Sequence, residues 1–296
     1  MARDTRKQII VTGSSGFIGR NLAEQLRPHY RIFAPSSKEL NLLDEDQVRR
    51  YFSRKSIDTV LHCATHNGTI VSNKDLSLVF KNNLRMFMNL ARCNSLYKRM
   101  FYFGSGAEYD MRNYIPKMRE EYFDTHVPVD DYGFSKYIMA RSIECTKNIY
   151  DLRLFGVYGK YEDWRIRFIS QSICRAIFNK QIVINQNVFF DYMFVADLVK
   201  IIHILIEKKT ISHKYFNVCT GAKIDLVTLA KMIVQKSNKK LMIKINAKGL
   251  KKEYSGNNTR LLDVIGNFEF IKSKQAISDL YEWYLAHRTN VDKSLI

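Results

Sequence analysis

The chain has 296 residues, of which 46% are hydrophobic and 26% charged, and its 47 Lys and Arg exceed its 29 Asp and Glu by 18 positive charges. This composition excludes collagen-like, low-complexity and wholly disordered proteins, and the length suits one large domain or two ordinary ones. Apolar runs stop well short of the ~20 residues that span a bilayer, and the basic residues are spread widely enough to favour an anionic small molecule over nucleic acid.

Short β-rich runs alternate with helical patterns along the first half of the chain, which is typical of a parallel sheet with crossover helices. The β-rich runs lie at residues 8–12, 30–34, 58–63, 100–103 and 150–155. The helical patterns lie at residues 17–26, 44–52, 76–96 and 131–147. We therefore predict an α/β protein built on a Rossmann-type, doubly wound parallel sheet.

The alternation is looser beyond residue 157. Helices are predicted at residues 167–178, 195–206, 225–235 and 274–287, strands at 182–184 and 215–218, and a basic loop at 247–258. No Pro/Ser-rich linker divides the chain. A mainly dinucleotide-binding part over residues 1–157 and a smaller α/β substrate-binding part over residues 158–296 should therefore interleave around one cleft.

Five cysteines and seven histidines are scattered along the chain without a CxxC pair. This spacing argues against a disulfide framework, a structural zinc site or another metal site. The first residues are charged and meet Thr12 and Gly13 before a signal-peptide core could form. We expect a cytoplasmic protein with no membrane partner.

Residues 12–19 read TGSSGFIG and follow the first β-rich run, so that glycines fall at positions 13, 16 and 19 of a strand, turn and helix. Glycine is needed there because a side chain would block the approach of the backbone to a pyrophosphate at the helix N-terminus. A glycine fingerprint alone is weak. Here the buried strand before it and the amphipathic helix after it supply the context that dinucleotide binding requires.

Residues 132–136 read YGFSK, and Ser105 follows the strand predicted upstream. Residues four apart share a helix face, so Lys136 lies one turn from Tyr132. A nearby ammonium group favours the phenolate form of a tyrosine, which suits it to proton transfer, and Ser105 is placed to hydrogen-bond the same substrate oxygen. A Tyr-x-x-x-Lys pair by itself most often lies on a solvated helix face. Its position after the glycine turn and after a serine at a strand end is what favours a catalytic role.

Together these motifs resemble the short-chain dehydrogenase/reductase superfamily, in its extended branch that acts on nucleotide sugars. TGSSGFIG is similar to TGxxGxxG, and YGFSK is similar to YxxxK. Further similarities are LHCAT (61–65) to LxHxAA, GSGAEY (104–109) to the serine strand, RLFGVYG (153–159) to RxxNxYGP and FNVCTG (216–221) to FNVGTG. The segments most similar to the GDP-L-fucose synthase family are KELNLLD (38–44), NGTIVSN (67–73) and TRLLDV (259–264).

The resemblance implies an NAD(P)-dependent oxidoreductase with Ser105, Tyr132 and Lys136 as catalytic residues, and a homodimer packed through the helices at 76–96 and 131–147. Contacts to the cofactor are implied for Gly13, Ser15, Gly16, Phe17, Ile18, Gly19, Ser37, Lys38, Asn41, Leu42, Cys63, Ala64, Thr65, Asn82, Tyr132, Lys136, Phe155 and Val157. Contacts to the substrate are implied for His66, Ser105, Gly106, Ala107, Tyr132, Gly156, Arg167, Phe168, Phe190 and Arg260. For His66 a solvated loop position explains the residue equally well.

Departures from the family pattern narrow the reaction. Dehydratases of this branch place an Asp-Glu pair after the catalytic residue, where this chain has Gly106 and Ala107, so dehydration is not expected. The fucose synthase family epimerises a GDP-4-keto-6-deoxy sugar before reducing its C4 ketone, using a cysteine at Ala107 and a histidine at or near Arg167. Neither alanine nor an always-protonated arginine can move a proton off carbon, so we expect reduction without epimerisation.

Two departures concern the substrate phosphates. Gly156 stands where RxxNxYGP has asparagine, and Phe190 stands where the family has an arginine, so the usual diphosphate clamp is incomplete. Residues that could replace the missing charge are Arg165, Arg167, Arg175, Lys180 and Arg260. A nucleoside-diphosphate sugar is expected, with GDP as the favoured nucleotide.

The end of the second strand bears on the choice of cofactor. A carboxylate there marks NAD, whereas a cation accommodates the 2′-phosphate of NADP. Residues 34–38 read APSSK with no acid before Glu39, and two phosphate-binding arginines of the fucose synthase family correspond to Ser15 and Ser37. Hydroxyl groups plus Lys38 favour NADP(H), and NAD stays an alternative.

The sequence leaves three alternative functions, of which the first is favoured. The first is the NADPH-dependent reduction of the C4 ketone of a nucleoside-diphosphate 4-keto sugar, 6-deoxy or not, without 3,5-epimerisation, for bacterial surface polysaccharide precursors. The second is a nucleotide-sugar 4-epimerase that retains NAD. The third is a dinucleotide-sensing binding protein without catalysis, which would have no need of Ser105, Tyr132 and Lys136, yet all three are present.

Overall fold

The computed structural model describes residues 5–66 and 74–296, so the NGTIVSN motif at residues 67–73 lies outside the described residues. The strands of the first half are β1 (Gln8–Thr12), β2 (Arg31–Phe33), β3 (Ile57–His62), β4 (Tyr97–Ser105) and β5 (Ile149–Leu154). Its helices are α1 (Phe17–Leu26), α2 (Glu45–Ser53), α3 (Val79–Ala91) and α4 (Asp131–Glu144). The elements predicted for this half are present, although the helix predicted at 76–96 is α3 with a short 3₁₀ turn on either side.

The second half is built from shorter elements. Its strands are β6 (Gly156–Tyr158), β7 (Ile182–Asn187), β8 (Phe189–Phe190), β9 (Tyr192–Phe194), β10 (Tyr215–Val218), β11 (Ile224–Asp225) and β12 (Ile243–Leu250). Its helices are α5 (Phe168–Ile177), α6 (Val195–Glu207), α7 (Leu226–Ser237), α8 (Thr259–Ile265) and α9 (Ser273–Ala286). The loop predicted from residue 247 is wrong at its start, because β12 continues to Leu250 in parallel pairing with β7.

The central sheet has six parallel strands in the order β2-β1-β3-β4-β5-β10. The chain places β2 on one side of β1 and β3 on the other, so the winding of the sheet changes direction at β1. Open α/β sheets bind ligands in the crevice beyond the carboxyl ends of the strands at such a point. The predicted α/β, doubly wound fold is confirmed.

Both faces of the sheet are covered because its strands are apolar on both sides. Within β1, Ile9 and Val11 pack into a core with residues of α1 and α6, while Ile10 packs into a second core with residues of α2 and α3. This alternation follows from the two-residue period of a strand. No helix in the described part of the chain combines the length and apolarity that crossing a bilayer requires.

The second half interleaves with the first. Strand β10 pairs with β5 at the edge of the sheet, and α6 and α8 contribute Ile202 and Leu261 to the core under it. The rest forms a separate core in which Ile173 of α5, Leu229 of α7 and Leu280 of α9 are buried together. The division at residue 157 stays a prediction.

Candidate active site

One cleft of about 2150 Å³ runs along the carboxyl ends of the central strands, and both halves of the chain line it. Its first part follows β1, β2 and β3, its middle follows β4 and α4, and its last part lies on β6 to β9 of the second half. Cofactor and substrate sites of α/β enzymes occur in such crevices.

The turn after β1 is shaped by its glycines. Gly13 has a φ of 66°, and a Cβ there would lie 2.6 Å from the backbone of Ala64. A Cβ at Gly19 would collide with the Gly13 carbonyl, which accepts a hydrogen bond from the Gly16 amide at 3.0 Å. The turn therefore brings bare backbone to the N-terminus of α1, which fits the pyrophosphate of a dinucleotide.

The stretch after β2 lines the next part of the cleft with Ser36 and Ser37, whereas Lys38 and Glu39 are not part of the lining. The Glu39 carboxylate accepts hydrogen bonds from the amide and the hydroxyl of Ser36, each at 2.8 Å, and these bonds lower its pKa. Among residues 34–43, all of which are described, no carboxylate lines the cleft. This end of the cleft presents hydroxyl groups instead of the acid that marks NAD.

The end of β3 supports the cofactor side from beneath. His62 is buried, and its Nδ1 lies 2.9 Å from the hydroxyl of Thr12. Burial, together with the positive charge of Lys136, lowers the pKa of His62 to about 3. His62 is therefore a neutral histidine that joins two strand ends, and residues 63–65 continue from it along the cleft.

Most residues that the resemblance assigns to the cofactor line this cleft. They are Gly13, Ser15, Gly16, Phe17, Ile18, Gly19, Ser37, Asn41, Leu42, Cys63, Ala64, Thr65, Tyr132, Lys136, Phe155 and Val157. Lys38 and Asn82 lie outside the lining. The side-chain amide of Asn82 donates to Nδ1 of His66 at 3.1 Å, and Nε2 of His66 lies 2.8 Å from the carbonyl of Asp75. His66 is thus held by a loop network beside the cleft.

The three catalytic candidates meet in the middle of the cleft, where Ser105 ends β4 and Tyr132 and Lys136 lie one turn apart on α4. Lys136 is buried, and its Nζ donates to the carbonyl of Phe103 at 2.7 Å and lies 5.8 Å from the centroid of the Tyr132 ring. Tyr132 keeps 38% of its surface exposed. The arrangement sets a fixed positive charge behind an accessible phenol.

Local sequence brings Ser105 and Tyr132 together. Asp130 caps α4 by accepting the Gly133 amide at 2.8 Å, which fixes the first turn of the helix. A Cβ at Gly133 would lie 3.0 Å from the carbonyl oxygen of Ala107, so the turn after Ser105 packs directly on the start of α4. Small residues on both sides permit this close contact.

A buried charge cluster lies under Ser105. Nε of Arg153 lies 2.8 Å from a carboxylate oxygen of Glu108 and 2.8 Å from one of Asp151, and all three side chains are buried. Burial and the neighbouring Asp151 raise the pKa of Glu108 well above its usual range. Glu108 Oε1 accepts the amide of Ser105 at 2.9 Å, so the cluster fixes the end of β4.

On the substrate side, Gly156, Arg167, Phe168 and Phe190 line the cleft together with Ser105 and Tyr132. A Cβ at Gly156 would lie 2.7 Å from the carbonyl oxygen of Asp191 and 2.8 Å from the ring of Tyr192, so this backbone has no room for the asparagine of the motif. Gly106 and Ala107 lie behind Ser105, outside the lining. Arg260 is also outside it, because its guanidinium pairs with Glu121 and lies 4.9 Å from the Tyr215 ring at β10.

The positive charge along the substrate side comes partly from residues that sequence reasoning proposed. Arg165 and Arg167 line the cleft, whereas Arg175 and Lys180 do not. Arg165 is paired with Asp163 at 2.7 Å, so part of its charge is offset.

Sequence reasoning missed several lining residues. They are Glu162, Tyr192, Lys251, Lys252 and Tyr254. The lysine run at 248–252 was visible in the sequence as a local concentration of charge, but nothing in it pointed to the cleft. No sequence motif or local pattern pointed to Glu162. In the structure its carboxylate accepts a hydrogen bond from the Ser170 hydroxyl at 2.7 Å, and burial raises its pKa to about 8.

A sequence model described as the NAD dependent epimerase/dehydratase family matches residues 9–219. The chain belongs to this family. Membership confirms the expected resemblance and the expectation of an enzyme that uses a nicotinamide dinucleotide. The family's match begins at β1 and ends just after β10, and so covers the whole central sheet except the first residue of β1.

Two relatives align over nearly the full length. One is a GDP-6-deoxy-D-talose 4-dehydrogenase of Aggregatibacter actinomycetemcomitans, 26% identical over 294 residues, covering 93% of this chain and 97% of that protein. Another is a dTDP-4-dehydro-6-deoxy-D-allose reductase of a Streptomyces species, 24% identical and covering 95% of this chain and 97% of that one. Both names describe enzymes that act on nucleotide-linked deoxy sugars.

Solved structures of similar fold include a GDP-L-fucose synthetase of Naegleria fowleri, with a TM-score of 0.81, 16% identity and coverage of 99% of this chain and 97% of that one. A GDP-mannoheptose C4 reductase of Campylobacter jejuni, solved with NADP bound, has a TM-score of 0.79, 19% identity and coverage of 96% and 99%. At these identities the likeness concerns the fold.

Proposed function

We propose that this chain uses NADPH to reduce the C4 ketone of a nucleoside-diphosphate 4-keto-6-deoxy sugar, in the synthesis of bacterial surface polysaccharide precursors. The observation that carries the proposal is the meeting of Ser105, Tyr132 and Lys136 in one cleft with a glycine turn suited to a dinucleotide. The names of the full-length relatives support a deoxy sugar linked to a nucleotide, and GDP is the proposed nucleotide.

In this mechanism Tyr132 donates its phenolic proton to the C4 oxygen, and Ser105 donates a hydrogen bond to the same oxygen. Bound NADPH supplies the hydride. Lys136, whose Nζ lies 5.8 Å from the Tyr132 ring, stabilises the phenolate that proton transfer leaves behind. Tyr132 then recovers a proton from solvent, which its exposure permits.

The proposal excludes 3,5-epimerisation. Ala107 has no side-chain proton to exchange, and its amide donates to the hydroxyl of Ser105 at 3.1 Å. Arg167 lines the cleft, but a guanidinium group has no free lone pair with which to remove a proton from carbon.

The proposed diphosphate site uses cations that replace the family's clamp. Lys251 and Lys252 directly follow β12 and line the same cleft as Arg167. Nζ of Lys252 donates to the carbonyl of Arg112 at 3.2 Å, which keeps the charge while fixing the side chain. Three cations that line one cleft suit the two negative charges on the diphosphate of a nucleotide sugar.

The preference for NADPH rests on the hydroxyl-lined end of the cleft at Ser36 and Ser37, where the nearest acid, Glu39, is engaged with Ser36. A homodimer through α3 and α4 and a cytoplasmic location complete the proposal. Light scattering of the purified protein tests the dimer, which a mass of 34.8 kDa in solution would contradict.

The test follows the absorbance of NADPH and NADH with freshly made 4-keto sugars linked to GDP, CDP, dTDP and UDP, with products examined by NMR in D₂O. We expect oxidation of NADPH with one substrate and no deuterium at C3 or C5. Deuterium at either carbon contradicts the argument from Ala107 and Arg167. No oxidation, with NAD bound tightly to the purified protein, points to the 4-epimerase; no oxidation and no bound NAD points to the binding protein.

A further inference from the structure

Tyr254 lies in the cleft beside the catalytic serine, although no sequence motif includes it. Its ring packs against those of Phe155 and Tyr114, with centroid distances of 5.1 and 5.0 Å. Its amide donates to the Phe189 carbonyl at 2.9 Å, and its carbonyl accepts the Asp191 amide at 3.0 Å. The residue is therefore held through both its backbone and its ring.

The phenolic hydroxyl of Tyr254 meets the turn that carries Ser105. A Cβ at Gly106 would collide with this hydroxyl, so the glycine makes room for it. The side chain of Ser105, on the same turn, lies close enough to this hydroxyl to exchange a hydrogen bond with it. Burial raises the pKa of Tyr254 well above its ordinary value, negative charge on Tyr132 raises it further, and the interaction with Ser105 offsets only part of this. Tyr254 therefore stays protonated and is a hydrogen-bond donor.

The hydrogen-bonding capacity of Ser105 shows what this contact does. A serine hydroxyl donates one proton and accepts with two lone pairs. One lone pair accepts the amide of Ala107 at 3.1 Å. When the second accepts the proton of Tyr254, the single proton of Ser105 is left to point into the cleft, toward the substrate.

We propose that Tyr254 is a positioning residue of the reductase site, which turns the hydroxyl of Ser105 toward the C4 oxygen of the sugar. This inference rests on the proposed function. The residue reaches the site from the segment that follows β12, so the second half of the chain sets the direction of a catalytic hydrogen bond made by the first half.

The experiment compares four proteins: wild type, Tyr254→Phe, Ser105→Ala and the double variant. We expect Tyr254→Phe to lower kcat about tenfold, the worth of one neutral hydrogen bond, with the KM for NADPH unchanged. Ser105→Ala should lower kcat about a hundredfold, and the double variant should fall no further, because Tyr254 acts through Ser105. A merely structural role for Tyr254 predicts losses that multiply, and that result overturns the proposal.

Tyr114→Phe is the matched control. It removes a hydroxyl from the same aromatic cluster, but this hydroxyl donates to the Ser255 carbonyl at 2.7 Å and not to the catalytic turn. We expect a lower urea midpoint for this variant and a kcat within twofold of wild type, since a buried hydrogen bond is lost without touching Ser105.

Urea unfolding of the same four proteins gives a reading that needs no substrate. If Tyr254 and Ser105 share a hydrogen bond, the shift in midpoint of the double variant is smaller than the sum of the two single shifts. Additive shifts overturn the proposal even if the wild-type protein oxidises no cofactor. A fully active Tyr254→Phe protein overturns it while leaving the proposed reductase intact.

Discussion

The cofactor side and the substrate side of the cleft are constructed in different ways. The cofactor side consists of residues that directly follow three adjacent strands, and its critical feature is bare backbone at Gly13 and Gly19. The substrate side draws Arg167, Phe190 and Tyr254 from separate short elements that are far apart in the chain. Backbone geometry tolerates little change, whereas side chains on several segments can replace one another. Substitutions on the cofactor side should therefore abolish or strongly weaken cofactor binding. Substitutions on the substrate side should weaken substrate binding by smaller, graded amounts.

The largest effect is expected at Tyr132, where the two sides meet. Tyr132→Phe removes the proton donor, and general acid catalysis contributes about 10²–10⁴ in rate, so we expect kcat to fall about a thousandfold. The glycine turn is untouched, so the affinity for NADPH, measured by fluorescence titration, should stay within threefold of wild type. Tyr137→Phe, on the same helix but bonded to Asp124 outside the cleft, is the control. Full activity of Tyr132→Phe would disprove the mechanism.

Gly13→Ala tests the cofactor side. The new methyl group meets both a φ of 66° and the backbone of Ala64 at 2.6 Å. We expect the affinity for NADPH to fall about a hundredfold, because the turn must open and strain of this kind costs about 1–3 kcal/mol. Gly266→Ala separates strain from collision, since its φ is 79° with nothing within 4 Å of the added Cβ. That variant should lose about 1 kcal/mol of stability and bind NADPH normally. Equal affinity of both variants for NADPH would contradict the role proposed for the glycine turn after β1.

Replacing Lys251 and Lys252 together by alanine tests the substrate side. We expect the KM for the nucleotide sugar to rise about tenfold, since each partly solvated cation contributes about 1 kcal/mol or less, while the KM for NADPH stays unchanged. The rise should shrink at high salt, which screens the lost charges. Lys248→Ala, on β12 but outside the lining, is the control. If only the KM for NADPH changed, these lysines would belong to the cofactor side, and the proposed diphosphate site would be wrong.

Glu162 provides the smallest and most specific test of the substrate side. Burial raises its pKa to about 8, from an ordinary value of 4.5. The folded protein thus keeps a proton that the unfolded chain has lost, and this contribution to stability disappears as the pH rises toward 8. The free energy of unfolding should fall by about 1 kcal/mol per pH unit between pH 6 and pH 7. Glu162→Gln should flatten that slope in urea titrations. An equal slope in both proteins would mean that Glu162 is already ionised at pH 6.

Local patterns in the sequence were enough to predict the glycine turn after β1 and the position of Tyr132 and Lys136 one turn apart on a helix. The turn after β1 and the pair Tyr132 and Lys136 depend on residues close together in the chain, so spacing alone indicated their geometry. Lys251 and Tyr254 could not be predicted, because they reach the cleft through the pairing of β12 with β7, in which Ile243 lies opposite Ile182. Parallel pairing of such distant segments leaves no local period to detect. Arg260 shows the converse: its motif resembles a family segment, but the fold pairs its side chain with Glu121.

The return of β10 to the edge of the central sheet has a consequence for how the polypeptide is made in the cell. Until the ribosome has delivered residues 215–218, the outer edge of β5 exposes unpaired amide and carbonyl groups to other chains. From the completion of β5 at Leu154 until β10 is delivered, the nascent chain is therefore prone to aggregate, and chaperone protection matters during that interval. A gene fragment ending at residue 157 would keep that edge uncovered, and should accumulate in inclusion bodies instead of folding as an independent dinucleotide-binding unit.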